Sequence, residues 1–200
     1  KGTGPAVTKT LNLASFSTLE CSLAADIEIT QGANQSVTVT GQENIIELIQ
    51  TEVADGKWRI KLPKGTWADY DNLKFKVTMK EVRGLGMAGS GSISTTNKIK
   101  TEELQLGLSG SGKITVDADA EYIDCGISGS GNIYLKGKAK ELNIQSLYIF
   151  NIIILQIFMR LTIVLFPQWI FNMYKFRFQI ILIIDIILTT GIVICDIVFY

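Results

Sequence analysis

The sequence predicts an all-β fold, a β-helix-like solenoid whose coils are about nineteen to twenty-one residues long. A Gly-Ser-Gly tripeptide recurs at residues 89–91, 110–112 and 129–131, so that the first step is twenty-one residues and the second nineteen. Apolar residues alternate with polar ones on both sides of each copy, which is the period of a β-strand. Units this short cannot bury an apolar face alone, so successive units are expected to stack as coils.

Each Gly-Ser-Gly is predicted to turn the chain at a corner between two strands. Two glycines in three residues suit a corner that needs a positive φ or a close approach of two backbones. The same corner is expected in successive coils. The glycines predicted to form it are Gly89, Gly91, Gly110, Gly112, Gly129 and Gly131.

Apolar residues ahead of and behind the corners are predicted to stack in columns that point inward. Leu104, Ile123 and Leu142 hold the same place in three successive units, as do Ile114 and Ile133. Residues that hold the same place in stacked coils lie on adjacent hydrogen-bonded strands. The columns therefore predict which strands pair, and in which register.

The outward positions are predicted to form short polar ladders on a flat face. The first step exceeds the second by two residues, which predicts that two extra residues bulge outward within residues 95–100 without disturbing the columns. The predicted ladders are Gln105 with Asp124 and Asn143, Ser92 with Lys113 and Asn132, and Ser94 with Thr115 and Tyr134.

The first half of the chain is also predicted to consist of short strands. Asp55-Gly56 stands between two alternating runs within residues 51–62, which is a hairpin signal. Residues 43–49 are compatible with a helical turn, and nothing before residue 146 predicts a long helix. Further alternating runs predict strands at residues 25–30, 36–40 and 73–79.

The composition changes abruptly after residue 145, which divides the chain into a solenoid domain (1–145) and an apolar tail (146–200). The domain holds 17 of the 18 glycines and 33 of the 38 charged residues, whereas the tail holds 16 isoleucines. By the nineteen-residue register the next corner falls at residues 148–150, where glycine is absent. The repeat therefore breaks off at the boundary.

Three interpretations of the tail remain open. AT-rich DNA translated out of frame gives this mixture of residues, and a single-base shift near the codon for Gln145 would then restore further coils. A membrane segment is the second, although residues 178–200 contain Asp185 and Asp196, which are costly inside a bilayer. Residues 146–159 and the following apolar run fall short of the ~20 residues that a span needs. Apolar closing strands are the third.

Residues 7–145 resemble the bacterial GIN domain, described as the putative auto-transporter adhesin head domain. The resemblance is carried by LASFSTLECSLAADIEITQGANQSVTVTGQENIIELIQTEVADGKWRIKL, followed by repeats of SGSG-x-I. It implies a secreted or surface-attached β-helical domain of a Gram-negative bacterium, on the cell surface or in the periplasm, with an adhesive role. The resemblance supplies no catalytic residues.

Composition excludes several kinds of chemistry. The chain has no histidine, which rules out Ser-His-Asp and Cys-His catalysis and histidine metal ligands. Three cysteines are too few for an all-cysteine zinc site, and Cys21 and Cys125 are predicted to be buried free thiols. Residues 84–89 (GLGMAG) have the spacing of a dinucleotide fingerprint but precede β-type sequence, which favours a coil corner. No cofactor or metal is predicted.

Two groups of acidic residues carry the alternative of a polysaccharide lyase or hydrolase. Asp69 and Asp71 form one group, and Asp117, Asp119 and Glu121 form the other, each with a spacing of two residues. Paired carboxylates perform acid-base chemistry on glycosidic bonds. The second group is predicted to lie in the connection between coils, where solvated acids are common, and the enzyme is therefore the less favoured function.

The sequence predicts a non-enzymatic extracytoplasmic protein, structural or adhesive, that binds glycan or cell-surface protein. Lys+Arg and Asp+Glu are equal at 19 each, so no electrostatic feature favours nucleic acid. Trp58, Trp67 and Tyr70 are candidates for stacking on sugar rings, although packing in the core is favoured. Membrane attachment is left open by the tail, and neither the ligand nor the oligomeric state is predicted.

Overall fold

The computed structural model describes residues 1–66, 69–146 and 152–153, and this part of the chain is nearly all β. It contains a 13-stranded sheet and one short helix, α1 (Glu43–Ile46). The strands are β1 (Ala6–Thr10), β2 (Thr18–Cys21), β3 (Ala25–Gln31), β4 (Ser36–Gln42), β5 (Val53–Ala54), β6 (Lys57–Ile60), β7 (Leu73–Met79), β8 (Gly84–Met87), β9 (Ser92–Thr95), β10 (Ile99–Leu108), β11 (Lys113–Ile127), β12 (Asn132–Ser146) and β13 (Ile152–Ile153).

The sheet curls into a half-barrel with two walls, which confirms the all-β class, whereas the solenoid stays a prediction. The strand order is β1-β4-β7-β3-β9-β11-β10-β8-β2-β6-β5, and β12 pairs with β11 and β13. We call the strands on the β9 side the first wall and those on the β10 side the second wall. The long strands β11 and β12 belong to both, because the first part of β11 pairs with β9 and the last part with β10.

The last strands pair in parallel in the register of the sequence repeat, which confirms the predicted columns. Leu104 pairs with Ile123, and Ile123 pairs with Leu142 on the next strand. Ile114 and Ile133 are likewise partners. Four of these side chains are buried and Leu142 is partly buried against the core, so the columns point inward as expected.

The two extra residues of the first step lie where they were predicted. Ser94 of β9 pairs with Thr115 of β11, and Ile99 of β10 pairs with Ala118 of β11. The chain takes five steps from Ser94 to Ile99, whereas β11 takes three from Thr115 to Ala118, so the segment between β9 and β10 contains two extra residues. Asn97 in this bulge donates from its side-chain amide to the carbonyl oxygen of Gln31 at 2.9 Å, and the Gln31 N–H donates back to Asn97 Oδ1 at 2.9 Å. The bulge is thus fastened to the end of β3.

Close backbone approach, and not a positive φ, explains the glycines of the repeated tripeptide. Within the described residues, the glycines with positive φ are Gly4, Gly56, Gly65 and Gly137, none of which belongs to a Gly-Ser-Gly. The corner glycines lie directly on the preceding corner. A Cβ added to any of them would collide with a carbonyl oxygen of the corner beneath. The pairs are Gly89 on Leu23, Gly91 on Ala25, Gly110 on Gly89, Gly112 on Gly91, Gly129 on Gly110 and Gly131 on Gly112.

This column of corners begins on residues that carry side chains. Leu23 and Ala25 lie beneath Gly89 and Gly91, at the turn from β2 to β3. The Cβ of a corner residue points back toward the preceding corner, so the restriction falls on the later corner of each pair. Gly137 in β12 is restricted in the same way, because a Cβ there would collide with the carbonyl oxygen of Ala118.

The core between the two walls is apolar, and an aromatic cluster joins them. No polar or charged residue is fully buried among the residues that the structure describes. Trp58 of the second wall contacts Phe16 and Phe75, with ring centroids 5.6 and 5.9 Å apart, and Phe75 belongs to the first wall. The indole N–H of Trp58 donates to the Gln50 carbonyl oxygen at 3.0 Å, so its one polar group is satisfied. Burial of each such side chain contributes about 1.5–3 kcal/mol.

The predictions for the first half of the chain are confirmed. Asp55 and Gly56 have φ of 52° and 68° and join β5 to β6 as a two-residue hairpin. The predicted strands correspond to β3, β4 and β7, and the predicted helical turn corresponds to α1.

The predictions for the tail concern residues 146–200, nearly all of which lie outside the described residues. Within the described ranges, no helix is long and apolar enough to cross a membrane.

Replacement of a corner glycine should destabilise the fold much more than replacement of a strand glycine three residues away. Gly129→Ala places a Cβ against the Gly110 carbonyl oxygen, whereas a Cβ at Gly126 meets nothing within 4 Å. We expect Gly129→Ala to lower the free energy of unfolding by well over about 1 kcal/mol. Gly126→Ala should leave it unchanged or raise it by up to about 1 kcal/mol. Urea denaturation of the full chain measures both, and equal effects would contradict the stacked corners.

Candidate functional site

The outer face of the second wall carries a shallow groove of about 340 Å³ that crosses the strands. Six strands contribute to it, β6, β2, β8, β10, β11 and β12, which run side by side. The lining residues are Thr18, Glu20, Lys57, Gly84, Leu85, Gly86, Gln105, Leu106, Gly107, Asp124, Cys125, Gly126 and Gln145.

A row of glycines forms the floor of the groove. Gly86, Gly107 and Gly126 are direct register partners on β8, β10 and β11. None of the three has a positive φ, and a Cβ at Gly107 or Gly126 would meet nothing within 4 Å. Neither a turn nor crowding therefore requires glycine at these two places, where it costs about 0.5–1 kcal/mol relative to alanine. The result is a strip of flat, exposed backbone.

Polar side chains line the groove beside the glycine row. Gln105 is the register partner of Asp124, and Asp124 is the partner of Asn143, which confirms the first predicted ladder. The Gln105 side-chain amide donates to Glu103 Oε1 at 3.0 Å. Within the described part of the chain, the Asp124 carboxylate has neither an ion pair nor a side-chain hydrogen bond. The other two predicted ladders, on the first wall, are also in register.

Glu20 lies at one end of the groove and is paired with two basic residues. Lys57 Nζ donates to Glu20 Oε1 at 2.7 Å, and Arg59 Nε donates to Oε2 at 2.9 Å. Partial burial raises the pKa of the Glu20 carboxyl, but the hydrogen bonds from Lys57 and Arg59 outweigh it and hold the pKa below its usual value. Glu20 is thus ionised at neutral pH, and together with Lys57 and Arg59 it forms a group with one net positive charge.

Tyr122 is the exposed aromatic residue beside the groove, with 52% of its surface accessible. It lies on β11 two residues before Asp124, so both side chains leave the same face of the strand, about 6.6 Å apart along it. Of the aromatic residues predicted to stack on sugars, Trp58 is buried in the core, in agreement with the favoured alternative. Tyr70 is half-buried and its hydroxyl oxygen accepts the Ala24 N–H at 3.1 Å, whereas Trp67 lies outside the described residues.

The expectation that Asp117 and Asp119 lie in a connection between coils is wrong. Both lie within β11, because this strand bends beyond them without losing its pairing to β12. Lys98 Nζ lies 3.1 Å from an oxygen of Asp119 and 3.7 Å from one of Asp117. The carboxylates are therefore paired with a base on the outside of the first wall.

The two groups of acidic residues do not come together. Asp69 and Asp71 precede β7, which is separated from β11 by β3 and β9. Lys74, near the start of β7, is level with Lys113 at the start of β11, through the pairings with Asp26 and Ser92. Asp117 lies four residues beyond Lys113, whereas Asp69 and Asp71 lie before Lys74. The geometry offers no shared site for the two pairs.

The cysteines of the described region are buried free thiols, as predicted. Burial raises the pKa of Cys21 to about 11 and the pKa of Cys125 to about 12. Neither thiol is therefore a nucleophile at neutral pH. Across the described ranges, no group of three or more His, Cys, Asp or Glu side chains is placed to hold a metal ion.

The glycine row and Tyr122 were missed by the sequence analysis, although a signal for the row exists. Gly86, Gly107 and Gly126 each stand three residues before the first glycine of a Gly-Ser-Gly, so the repeat is longer than the tripeptide. Gly84 and Gly86, which match the dinucleotide fingerprint, are strand residues in β8. No comparable periodicity singles out Tyr122, because its partners on the neighbouring strands are Glu103 and Glu141.

The sequence identifies the family to which the chain belongs. Residues 15–148 match the family described as putative auto-transporter adhesin, head GIN domain, and the chain belongs to that family. The resemblance stated from the sequence is thereby confirmed. No curated protein sequence matches the chain.

Solved structures of similar fold come from species of Bacteroides and Parabacteroides. A putative adhesin from Bacteroides fragilis has a TM-score of 0.74 and 20% identity, covering 79% of this chain and 74% of its own. A putative lipid binding protein from Parabacteroides distasonis has a TM-score of 0.61 and 20% identity over 72% of each chain. A putative adhesin from Parabacteroides merdae has a TM-score of 0.58 and 19% identity, covering 70% and 69%. At these identities the likeness establishes the fold.

The burial of the thiols gives a direct test of the core. In the folded full chain at pH 8, Cys21 and Cys125 should react with a maleimide at least about a hundredfold more slowly than in urea, because burial both shields the sulfur and suppresses the thiolate. Mass mapping of the labelled peptides separates these sites from Cys195. Rapid labelling of Cys125 in the folded protein would contradict the inward placement of its column.

Proposed function

We propose that residues 1–145 form a non-enzymatic, extracytoplasmic β-solenoid that binds glycan or protein surfaces. Membership of an adhesin family supports the adhesive role. The similar fold of two putative adhesins, from Bacteroides fragilis and Parabacteroides merdae, supports the same role and a place outside the cytoplasm.

The single observation that carries the proposal is the flat polar outer face built on strands in a repeating register. Lys113 pairs with Asn132 at one end of a coil and Ile127 pairs with Ser146 at the other, so one sequence repeat advances the chain by one strand. This regular advance supports the solenoid. It places polar side chains from successive coils in rows, which suits broad contact with an extended surface.

The corner glycines have a structural role in this proposal. They set the distance between coils, and none of them is among the residues that line the groove. Their replacement should therefore weaken binding only through loss of the folded state.

A polysaccharide lyase or hydrolase is the alternative, and the geometry favours it less. Glycoside hydrolases hold two carboxylates on either side of one glycosidic bond. Here Asp117 and Asp119 are paired with Lys98, and Asp69 and Asp71 lie before β7 at the other end of the first wall. The groove of the second wall presents Asp124 without a second unpaired carboxylate among its lining residues.

The full chain should bind immobilised polysaccharide or cell-surface protein and release no product from it. Binding is measured by retention on the surface, and turnover by reducing ends or unsaturated products over several hours. Retention without turnover is the expected result. Turnover that is abolished by Asp69→Asn with Asp71→Asn, or by Asp117→Asn with Asp119→Asn, would establish the enzyme instead.

A further inference from the structure

We propose that the groove of the second wall is the binding site and that its ligand is a neutral oligosaccharide segment of a longer glycan. The proposal rests on the proposed surface-binding function and deepens it, because it names a place and a ligand class. Four features of the groove carry it: its shape, its hydrogen-bonding groups, an exposed aromatic ring and its charge.

The shape suits a chain molecule that lies across the strands. From Glu20 through the three glycines to Gln145, the floor spans five adjacent strands. At about 4.8 Å between strands, this row is about 19 Å long. It is shallow and open above, so a segment of a longer chain can lie in it. A flat ring can lie on the bare backbone at Gly107 and Gly126, where no side chain intervenes.

The hydrogen-bonding groups beside the floor match hydroxyl groups. The Asp124 carboxylate accepts hydrogen bonds at two oxygens, and the Gln105 and Gln145 side chains each both donate and accept. Sugar hydroxyls also donate and accept, and a bond to a charged acceptor is the stronger kind. Asp124 is unpaired within the described part of the chain, so it is available to a ligand.

Tyr122 supplies a stacking surface next to this polar row. Its ring is exposed, and it leaves the same face of β11 as Asp124 and Gly126. An exposed aromatic ring packs against the apolar face of a sugar ring while neighbouring polar groups bind the hydroxyls. Tyr122, Asp124 and Gly126 follow one another along the outer face of β11 and offer a ring, a carboxylate and bare backbone. The three residues span about 13 Å along the strand.

The charge of the site selects a neutral ligand. Lys57 and Arg59 are both paired with Glu20, so these basic residues are already engaged and the group keeps only one net positive charge. Glu103 and Glu141 are the register partners of Tyr122 on the neighbouring strands. Neither they nor Asp124 form an ion pair among the described residues. This excess of negative charge repels sulfated or uronic-acid glycans and anionic lipid headgroups. Uncharged sugars meet no such penalty.

The fold does not require glycine at Gly107 or Gly126, whereas it requires glycine at the corners. A valine at Gly107 or Gly126 would have room and would raise the preference for a strand, yet it would fill the floor. Glycine within a strand is typical of places where a ligand approaches the backbone closely. Its coincidence with Tyr122 and the unpaired Asp124 on the same face makes the groove a site.

The test uses the full chain on an array of neutral and anionic oligosaccharides of mannose, glucose, galactose and N-acetylglucosamine, with calorimetry on the best ligand. The groove variants are Gly107→Val with Gly126→Val, which fills the floor, and Tyr122→Ala, which removes the ring. Thr115→Val, an exposed position on the first wall, is the matched control. Urea denaturation of each variant measures whether the fold is retained.

The expected result is binding to a neutral oligosaccharide that weakens at least tenfold in both groove variants and is unchanged in Thr115→Val. The stability of the double valine variant should equal or exceed that of the parent, so the loss is not due to unfolding. Saccharide binding that survives both groove changes would overturn the site while the proposed function stands. Binding only to protein or lipid surfaces would overturn the ligand class. Failure to bind any of these surfaces would overturn the proposed function as well.

Discussion

Backbone contact between successive corners is the constraint on which the rest of the structure depends. At each Gly-Ser-Gly a carbonyl oxygen of the preceding corner occupies the space that a Cβ would need. Only glycine lets the corners stack at the distance that hydrogen-bonded strands require on either side. Once the corners stack, the register of the strands follows, and with it the inward columns that begin at Leu104 and Ile114.

The same register separates the task of folding from the task of binding. Inward positions hold the apolar side chains that pack between the walls, together with the buried thiols of Cys21 and Cys125. Outward positions contribute little to stability and are free to carry polar groups, an exposed tyrosine or no side chain at all. Glycine thus has two roles in one repeat: at a corner it lets two backbones meet, and at Gly107 and Gly126 it leaves the backbone uncovered.

Local pattern was enough to predict the parallel register, because a repeat of fixed length with period-two alternation leaves few ways to pair the strands. It predicted the partners of Ile123, the bulge that contains Asn97 and the hairpin at Asp55. Pairings across long stretches of chain, such as β2 with β8, have no signal in either segment. The placement of Asp117 was wrong because closely spaced acidic residues are typical of solvated connections, whereas here they continue a strand and are paired with Lys98. The groove was missed because it is assembled from six strands, and its glycines reveal their common face only once the strands are paired.

Amide hydrogen exchange at the corners tests the central claim most directly. The corner amides donate to the preceding corner, Ser109 to Met87 at 2.9 Å, Ser128 to Leu108 at 2.8 Å and Gly131 to Gly110 at 3.2 Å. Although these residues lie in surface turns, stacked corners predict that their amides exchange only through global unfolding, as slowly as those of the central strands. Exchange of Ser109, Ser128 and Gly131 at the rates of a flexible loop, in a protein whose β11 amides are protected, would contradict the stacking of the corners.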